Sequence, residues 1–295
     1  MGEDTNTVLV PVSFSEHSDN GAVYAIQIAS GIDADIMLLN AYFDPILSIP
    51  GSLEPYSYMV GIDRDIRKLE EETLLNLEAL KQMLEDRIKK EHITNVKVNF
   101  DMIKGYPGES ILAYAEEYKP NVIVMGSTGK KPSGLTPFGH VTAKVLENAK
   151  IPVLTVPHGY DAYKFKKPEK VVYITNLDNT DYFALERLAG FAKLFDAKIL
   201  CIHASVIESD DEEESRMREI KQYISENLGV TNLECGILES ADQQTGLESF
   251  IKERSADVLA FSTQKRSLLL RFFDQEPAHR FLYQTDIPLL VYHAK

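Results

Sequence analysis

Glycines and lysines cluster in one short segment near the middle of the chain, between residues 126 and 139. They are Gly126, Gly129, Gly134 and Gly139, with Lys130 and Lys131. An apolar run at 122–125 precedes the cluster and is typical of a buried strand, and an amphipathic helix pattern follows it. Loops that join a parallel strand to a helix N-terminus bind ligands in open α/β sheets, and the helix dipole there favours an anion. Because glycine permits positive φ and a close approach to phosphate oxygens, the segment predicts a site for a phosphate-bearing ligand.

Established phosphate loops do not fit this segment. Gly134 and Gly139 have the Walker A spacing, but His140 and Val141 follow where that loop needs a lysine and a hydroxyl residue. The pattern G-x-G-x-x-G does not occur in the sequence. Neither a nucleophile elbow, nor paired carboxylates, nor the ligand spacing of a zinc site is found in it. The sequence therefore favours binding over catalysis.

The elements that must position this loop occur twice along the chain. Residues 8–41 resemble 171–204 at a shift of 163, and 122–154 resemble 258–290 at a shift of 136. The first half thus has about 27 additional residues in its middle, around 43–93, where Leu77, Leu80, Leu84 and Ile88 form a helix stripe. Each half alternates strands with helices, which predicts a parallel, helix-covered sheet. We predict one domain at 1–158, a linker at 159–169 and a second domain at 170–295.

Composition and charge restrict the class of protein. The 295 residues carry a net charge of −14, which repels nucleic acid and anionic lipid. No apolar run approaches the roughly 20 residues of a membrane helix, and the N-terminus lacks a signal-peptide pattern. Two cysteines cannot form a disulfide framework, so we expect a cytoplasmic protein without membrane or nucleic-acid partners. Cys201 is interpreted as a small core residue, and no redox motif accompanies Cys235.

Three motifs together resemble the universal stress protein family. The first is Gly126-x-x-Gly129 followed by nine residues and Gly139, the second is the opening segment 8–15, and the third is Gly105-x-Pro107 before a helix. The resemblance covers nearly the whole chain as two tandem copies. It implies α/β, flavodoxin- or Rossmann-like five-stranded sheets that pack as an internal pseudo-dimer. Family members commonly pair through their last strands, here 151–156 and 287–292; whether the chain also forms a homodimer is left open.

The resemblance also implies an ATP site in the first half, with magnesium left open. Pro11, Val12 and Ser13 would flank the adenine and ribose, and Ala41 would contact the adenine through its backbone. Gly126, Gly129 and Gly139 would shape the phosphate loop, Lys130 would add positive charge, and Val141 and Thr142 would begin the following helix. Two residues depart from the family pattern, since Ser13 replaces an aspartate and His140 replaces a small hydroxyl residue. His140 either donates to a phosphate or fills the pocket with its ring.

The second half has a degenerate loop. Ser262-Thr-Gln-Lys265 and Gln275-Glu276 replace the three glycines, and Glu276 would repel phosphate. We predict that this half does not bind ATP and is either a packed, ligand-free copy or a pocket for a different ligand. For the whole protein, the leading hypothesis is a stress-response module regulated by an adenine nucleotide. The alternatives are a nucleotide-independent scaffold or chaperone-like protein with unknown partners, and a slow ATPase.

Overall fold

The computed structural model describes residues 6–42, 56–127, 139–179, 181–205, 209–263 and 286–293. In the first half, β-strands and α-helices alternate as β1 (Thr7–Pro11), α1 (Glu16–Gly31), β2 (Asp35–Tyr42), α2 (Tyr56–Lys90), β3 (Val98–Lys104), α3 (Pro107–Tyr118), β4 (Val122–Ser127), α4 (His140–Asn148) and β5 (Val153–Pro157). The second half contains β6 (Lys170–Ile174), α5 (Asp181–Phe195), β7 (Lys198–Ser205), α6 (Asp211–Gln222), β8 (Leu233–Glu239), α7 (Gln243–Arg254), β9 (Val258–Thr263) and β10 (Leu289–His293). A π-helical turn, Tyr223–Asn227, continues α6.

The ten strands of the described residues belong to one sheet, in the order β3-β2-β1-β4-β5-β10-β9-β6-β7-β8. The strands within each half are parallel, as the alternation of strands and helices predicts. The halves join where β5 and β10 pair antiparallel, with Leu290 opposite Leu154. The predicted tandem fold with paired last strands is therefore confirmed. This pairing covers an edge of each half that would otherwise be exposed.

Two layers of apolar side chains cover the sheet, one on each face. Side chains of alternating strand residues pack on α1, α2, α5 and α6 on one face and on α3, α4 and α7 on the other. In β1, for example, Val8 and Val10 belong to the first layer and Leu9 belongs to the second. Each layer contains residues of both halves, so the core is continuous across the β5–β10 junction. This burial of both faces explains why inner strands such as β1 and β4 consist mostly of apolar residues.

Helix α2 accounts for the extra residues of the first half. It spans 35 residues, and the predicted stripe, Leu77, Leu80, Leu84 and Ile88, is buried against the sheet. Side chains between these positions are largely exposed, as expected of an amphipathic surface helix. No described helix is long and apolar enough to span a membrane.

The segment 159–169, predicted as the linker, packs closely on the first half. The ring of Phe165 stacks on Tyr24 of α1 at 4.0 Å between centroids, and Ala162 is buried. The side-chain amide of Asn20 donates to the carbonyl of Tyr160 at 2.8 Å. Its Gly, Lys and Pro content and its position after a terminal strand predicted a linker, and two of its apolar side chains, those of Ala162 and Phe165, join the core.

Candidate functional site

A cavity of about 400 Å³ opens at the carboxyl ends of β1, β2 and β4, between α3 and the N-terminus of α4. Among the predicted site residues, Gly129 and Lys130 lie outside the described residues, and all the others line this cavity. These are Pro11, Val12, Ser13, Ala41, Gly126, Gly139, His140, Val141 and Thr142. The topology therefore brings together residues that are as far apart in sequence as Pro11 and Thr142. Eight further lining residues were not predicted, namely Ser15, His17, Ser18, Leu39, Asn40, Pro107, Ile111 and Met125.

The turn between β1 and α1 contributes hydroxyl groups to the cavity. Ser15 caps the helix, and the hydroxyl of Ser18 accepts from the backbone N–H groups of Ser13 at 3.2 Å and Ser15 at 3.3 Å. The hydroxyls of Ser13 and Ser15 are 3.0 Å apart. The backbone of Phe14 has a φ of 56°, which sharpens the turn. Ser13 thus offers a neutral hydroxyl where the family pattern has a carboxylate.

Asn40 fixes the adjoining end of β1. Its buried side-chain amide donates to the carbonyl of Val12 at 2.8 Å, and the N–H of Val12 donates to the carbonyl of Leu39 at 2.9 Å. Both backbone groups of Val12 are therefore held at the cavity wall. The sequence signal for Asn40 was a polar residue inside an apolar strand. The second half repeats the contact with a different side chain, because Nδ1 of His203 lies 2.9 Å from the carbonyl oxygen of Thr175.

Gly126 has a packing role that differs from the predicted one. It lies inside β4 without positive φ, and a Cβ there would stand 1.8 Å from the carbonyl oxygen of His17. A Cβ on Gly21 would likewise stand 2.6 Å from the amide nitrogen of Gly126. These two glycines allow α1 to lie directly against β4. Gly139 does not use the positive φ that glycine permits either, because its φ is −61°.

The N-terminus of α4 lies at the cavity. Gly139 is its N-cap and makes no side-chain cap hydrogen bond, and the first N–H groups of a helix have no intrahelical partners. His140 is exposed at the first helical position, and Thr142 donates its hydroxyl to the carbonyl of Gly126 at 3.4 Å. A Cβ on Gly139 would meet no heavy atom within 4 Å. The helix dipole adds partial positive charge at this end.

None of the described residues that line the cavity is Asp or Glu. The carboxylate of Glu109 on α3 pairs with Lys144 of α4, and this hydrogen bond lowers the pKa of Glu109. Among the described residues, no group of three or more His, Cys, Asp or Glu side chains is arranged to hold a metal ion. The described wall therefore suits an apolar base beside an anionic group, and it contains no carboxylate ligand for magnesium.

The corresponding turn in the second half is held by a carboxylate instead of a hydroxyl. Asp181, which aligns with Ser18, is fully buried and accepts from the backbone N–H groups of Asn176 at 3.1 Å and Asp178 at 3.3 Å. Its other oxygen accepts from the hydroxyl of Tyr173 at 2.6 Å and from Ser262, which aligns with Gly126, at 3.2 Å. The predicted loop residues Lys265, Gln275 and Glu276 lie outside the described residues.

Comparisons with known proteins agree with this architecture. The profile of the universal stress protein family matches residues 5–157. The chain is 31% identical over 166 residues to Universal stress protein MJ0531 of Methanocaldococcus jannaschii, an alignment that covers 55% of this chain and 83% of that protein. The solved structure of a universal stress protein from Archaeoglobus fulgidus superposes with a TM-score of 0.67 and 18% identity, covering 98% of this chain and 96% of that one. A universal stress protein solved in complex with cAMP is 21% identical, with a TM-score of 0.34, over 52% of this chain and 98% of that one.

The family match includes every residue of the first-half cavity wall, and the structural match extends over both halves. These similarities agree with the tandem sheet and with the cavity at the ends of β1, β2 and β4. The chain belongs to the universal stress protein family.

Proposed function

We propose that the first half, 1–158, binds an adenine nucleotide, ATP, in the cavity between β1, β2 and α4, as the regulatory site of a cytoplasmic stress-response protein. One observation supports the proposal: nine of the eleven predicted residues, from β1 and the turn after it, β2, β4 and α4, line one cavity at the carboxyl edge of the sheet. Ligands of open α/β sheets bind at this edge. The uncapped N-terminus of α4 provides the anion-favouring group that a phosphate requires.

The wall is divided in a way that suits a nucleotide. Leu39, Ile111 and Met125 form an apolar part on which a base can lie. Ser13 and Ser15 place hydroxyl groups beside it, where a ribose would find hydrogen-bond partners. On the side of α4, His140 and the first-turn amides are the phosphate partners. His140 is exposed at the rim of the cavity. This position favours a hydrogen bond from His140 to a phosphate over a ring that fills the cavity.

We propose that the second half, 170–295, does not bind ATP. The turn amides that Ser18 engages in the first half are occupied by the carboxylate of Asp181 in the second. A buried carboxylate at this point would repel a phosphate. Ser262 adds a side chain where the first half has Gly126.

Hydrolysis of ATP has less support than binding. A slow ATPase needs a general base and a carboxylate to hold a metal, and the described wall offers histidines but no carboxylate. The scaffold hypothesis, with an unidentified protein partner, requires no ligand at all. It becomes the leading explanation if the binding experiment fails.

The experiment is a titration of the purified chain with ATP, followed by native mass spectrometry and calorimetry, with and without Mg²⁺. We expect one ATP per chain, preferred over GTP and compared with cAMP. Ala41→Leu places three more carbons at the cavity wall and should weaken binding about tenfold or more, a loss of about 1.4 kcal/mol or more. Ala204→Leu makes the same change at the aligned position of the second half and should leave binding unchanged. Equal loss in both variants, or no binding at millimolar ATP, would refute the proposed site.

A further inference from the structure

The two cysteines of the chain lie opposite each other in the sheet. Cys201 is in β7 and Cys235 is in β8, and the parallel register pairs their Cα atoms. Register partners on adjacent strands have Cα atoms about 4.8 Å apart, within the roughly 4.4–6.8 Å range that disulfides span. Both side chains belong to the apolar layer that α6 covers. The two sulfur atoms are therefore neighbours on the same face of the sheet.

The first half shows that the fold does not require thiols at this place. Leu38 aligns with Cys201 in the repeat, and its register partner in β3 is Phe100. An ordinary apolar pair thus fills the same position between a second strand and its neighbour. The second half replaces both members with cysteine, and the chain has no other cysteines. Packing alone accounts for a buried cysteine but not for this pairing.

The two thiols differ in exposure and in protonation. Cys201 is fully buried, whereas Cys235 is partly exposed. The Cys201 thiol donates a hydrogen bond to the sulfur of Cys235, which raises the pKa of Cys201 and lowers the pKa of Cys235. Burial and the negative charge of Glu234 oppose this lowering of the Cys235 pKa, and the positive charge of Lys221 on α6 adds to it. Cys235 is accordingly the better nucleophile and the more accessible sulfur.

We propose that Cys201 and Cys235 form a peroxide-oxidisable dithiol whose reversible disulfide cross-links β7 and β8. The Cys235 thiolate attacks one oxygen of hydrogen peroxide, the O–O bond breaks, and a sulfenic acid and hydroxide form. The Cys201 sulfur then attacks the Cys235 sulfur, the S–O bond breaks, and water leaves. The dithiol loses two electrons and two protons overall, and the peroxide is reduced to two waters. An external dithiol reverses the reaction by thiol–disulfide exchange.

The place of β8 in the sheet favours a labile bond. β8 is an outer strand, and among the described strands only β7 pairs with it. A strand with one neighbour can approach β7 to reach the Cβ separation of about 3.8 Å that disulfides prefer, without disturbing a second strand pair. A strained disulfide is more easily reduced, as expected of a redox-sensing bond in a reducing compartment.

The test treats the full-length chain with hydrogen peroxide at neutral pH, unfolds it in the presence of N-ethylmaleimide and measures its intact mass. We expect a chain about 2 Da lighter that takes up no maleimide, and dithiothreitol should restore both alkylation sites. The oxidised chain should remain monomeric on a non-reducing gel. These measurements on the unmodified sequence do not depend on the folding of any variant.

Two variants identify the order of events. Cys201→Ala should stop at a sulfenic acid on Cys235, which dimedone traps. Cys235→Ala should keep its buried Cys201 thiol under the same treatment. The proposal is overturned if the unmodified chain retains both thiols, if the disulfide joins two chains, or if Cys201 oxidises as fast in Cys235→Ala as Cys235 does in Cys201→Ala.

Discussion

Asp181 should contribute more to the stability of the second half than Ser18 contributes to that of the first. Its carboxylate accepts from five donors: the hydroxyls of Tyr173, Thr175 and Ser262 and the N–H groups of Asn176 and Asp178. The perturbation is Asp181→Ala, which removes both oxygens. Asp181→Ser is the matched variant, because it restores the residue that the first half uses to hold the equivalent turn amides.

The expected magnitude follows from the donors left without a partner. A buried donor that loses its partner costs about 1–3 kcal/mol. Three of the five donors are hydroxyls that can rotate to other acceptors, so the two turn amides dominate the cost. We expect Asp181→Ala to lower the free energy of unfolding by about 3–5 kcal/mol. Asp181→Ser should recover about half of that loss, because a serine hydroxyl can accept from both amides.

The assay is urea unfolding followed by far-ultraviolet circular dichroism, because the chain has no Trp. Ser18→Ala is the first-half control and should cost about 1–2 kcal/mol, since Ser18 accepts from two amides without bearing a charge. The reasoning is refuted if Asp181→Ala costs less than about 1 kcal/mol, or if Asp181→Ser is no more stable than Asp181→Ala.

Two further predictions concern packing and pH. A Cβ on Gly31, at the end of α1, would stand 2.0 Å from the buried ring of Phe195, so Gly31→Ala should cost about 1–3 kcal/mol in urea unfolding. Gly190 is an exposed helical site with nothing within 4 Å of a new Cβ, so Gly190→Ala should instead raise the free energy of unfolding by about 0.5–1 kcal/mol. A similar effect of both changes on the free energy of unfolding would contradict this explanation. Burial lowers the pKa of His293, whose Nε2 lies 2.6 Å from the carbonyl oxygen of Leu146, so the unfolded state binds the proton more readily. Stability should therefore fall as the pH drops through about 6.5, and His293→Gln should reduce that fall when urea midpoints at pH 8 and pH 5.5 are compared.

Local sequence patterns were sufficient to predict the architecture. The repeat shifts predicted two copies of one α/β unit, and the stripe on α2 predicted its buried face. The glycine segment and the β1 motif marked the edge of the sheet where the cavity lies. These features are readable because strand and helix periodicity and turn composition depend on neighbouring residues.

Those local patterns could not predict contacts between segments that are distant in the sequence. Gly126 was predicted to shape a phosphate loop, yet the close approach of α1 requires the glycine there. Asn40 was not predicted, because its partner, the carbonyl of Val12, is brought near only by the pairing of β1 with β2. The segment 159–169 was predicted as a linker from its composition, and only packing against Tyr24 shows that it joins the core.

The duplication, the fold class, the family resemblance and the edge of the sheet with the candidate site could all be read from the order of the residues. The contacts of Asp181 in the second-half turn and the pairing of Cys201 with Cys235 became visible only in the folded chain. Strand register and helix approach depend on the packing of the whole core, so a side chain acquires its partners only when that packing is complete.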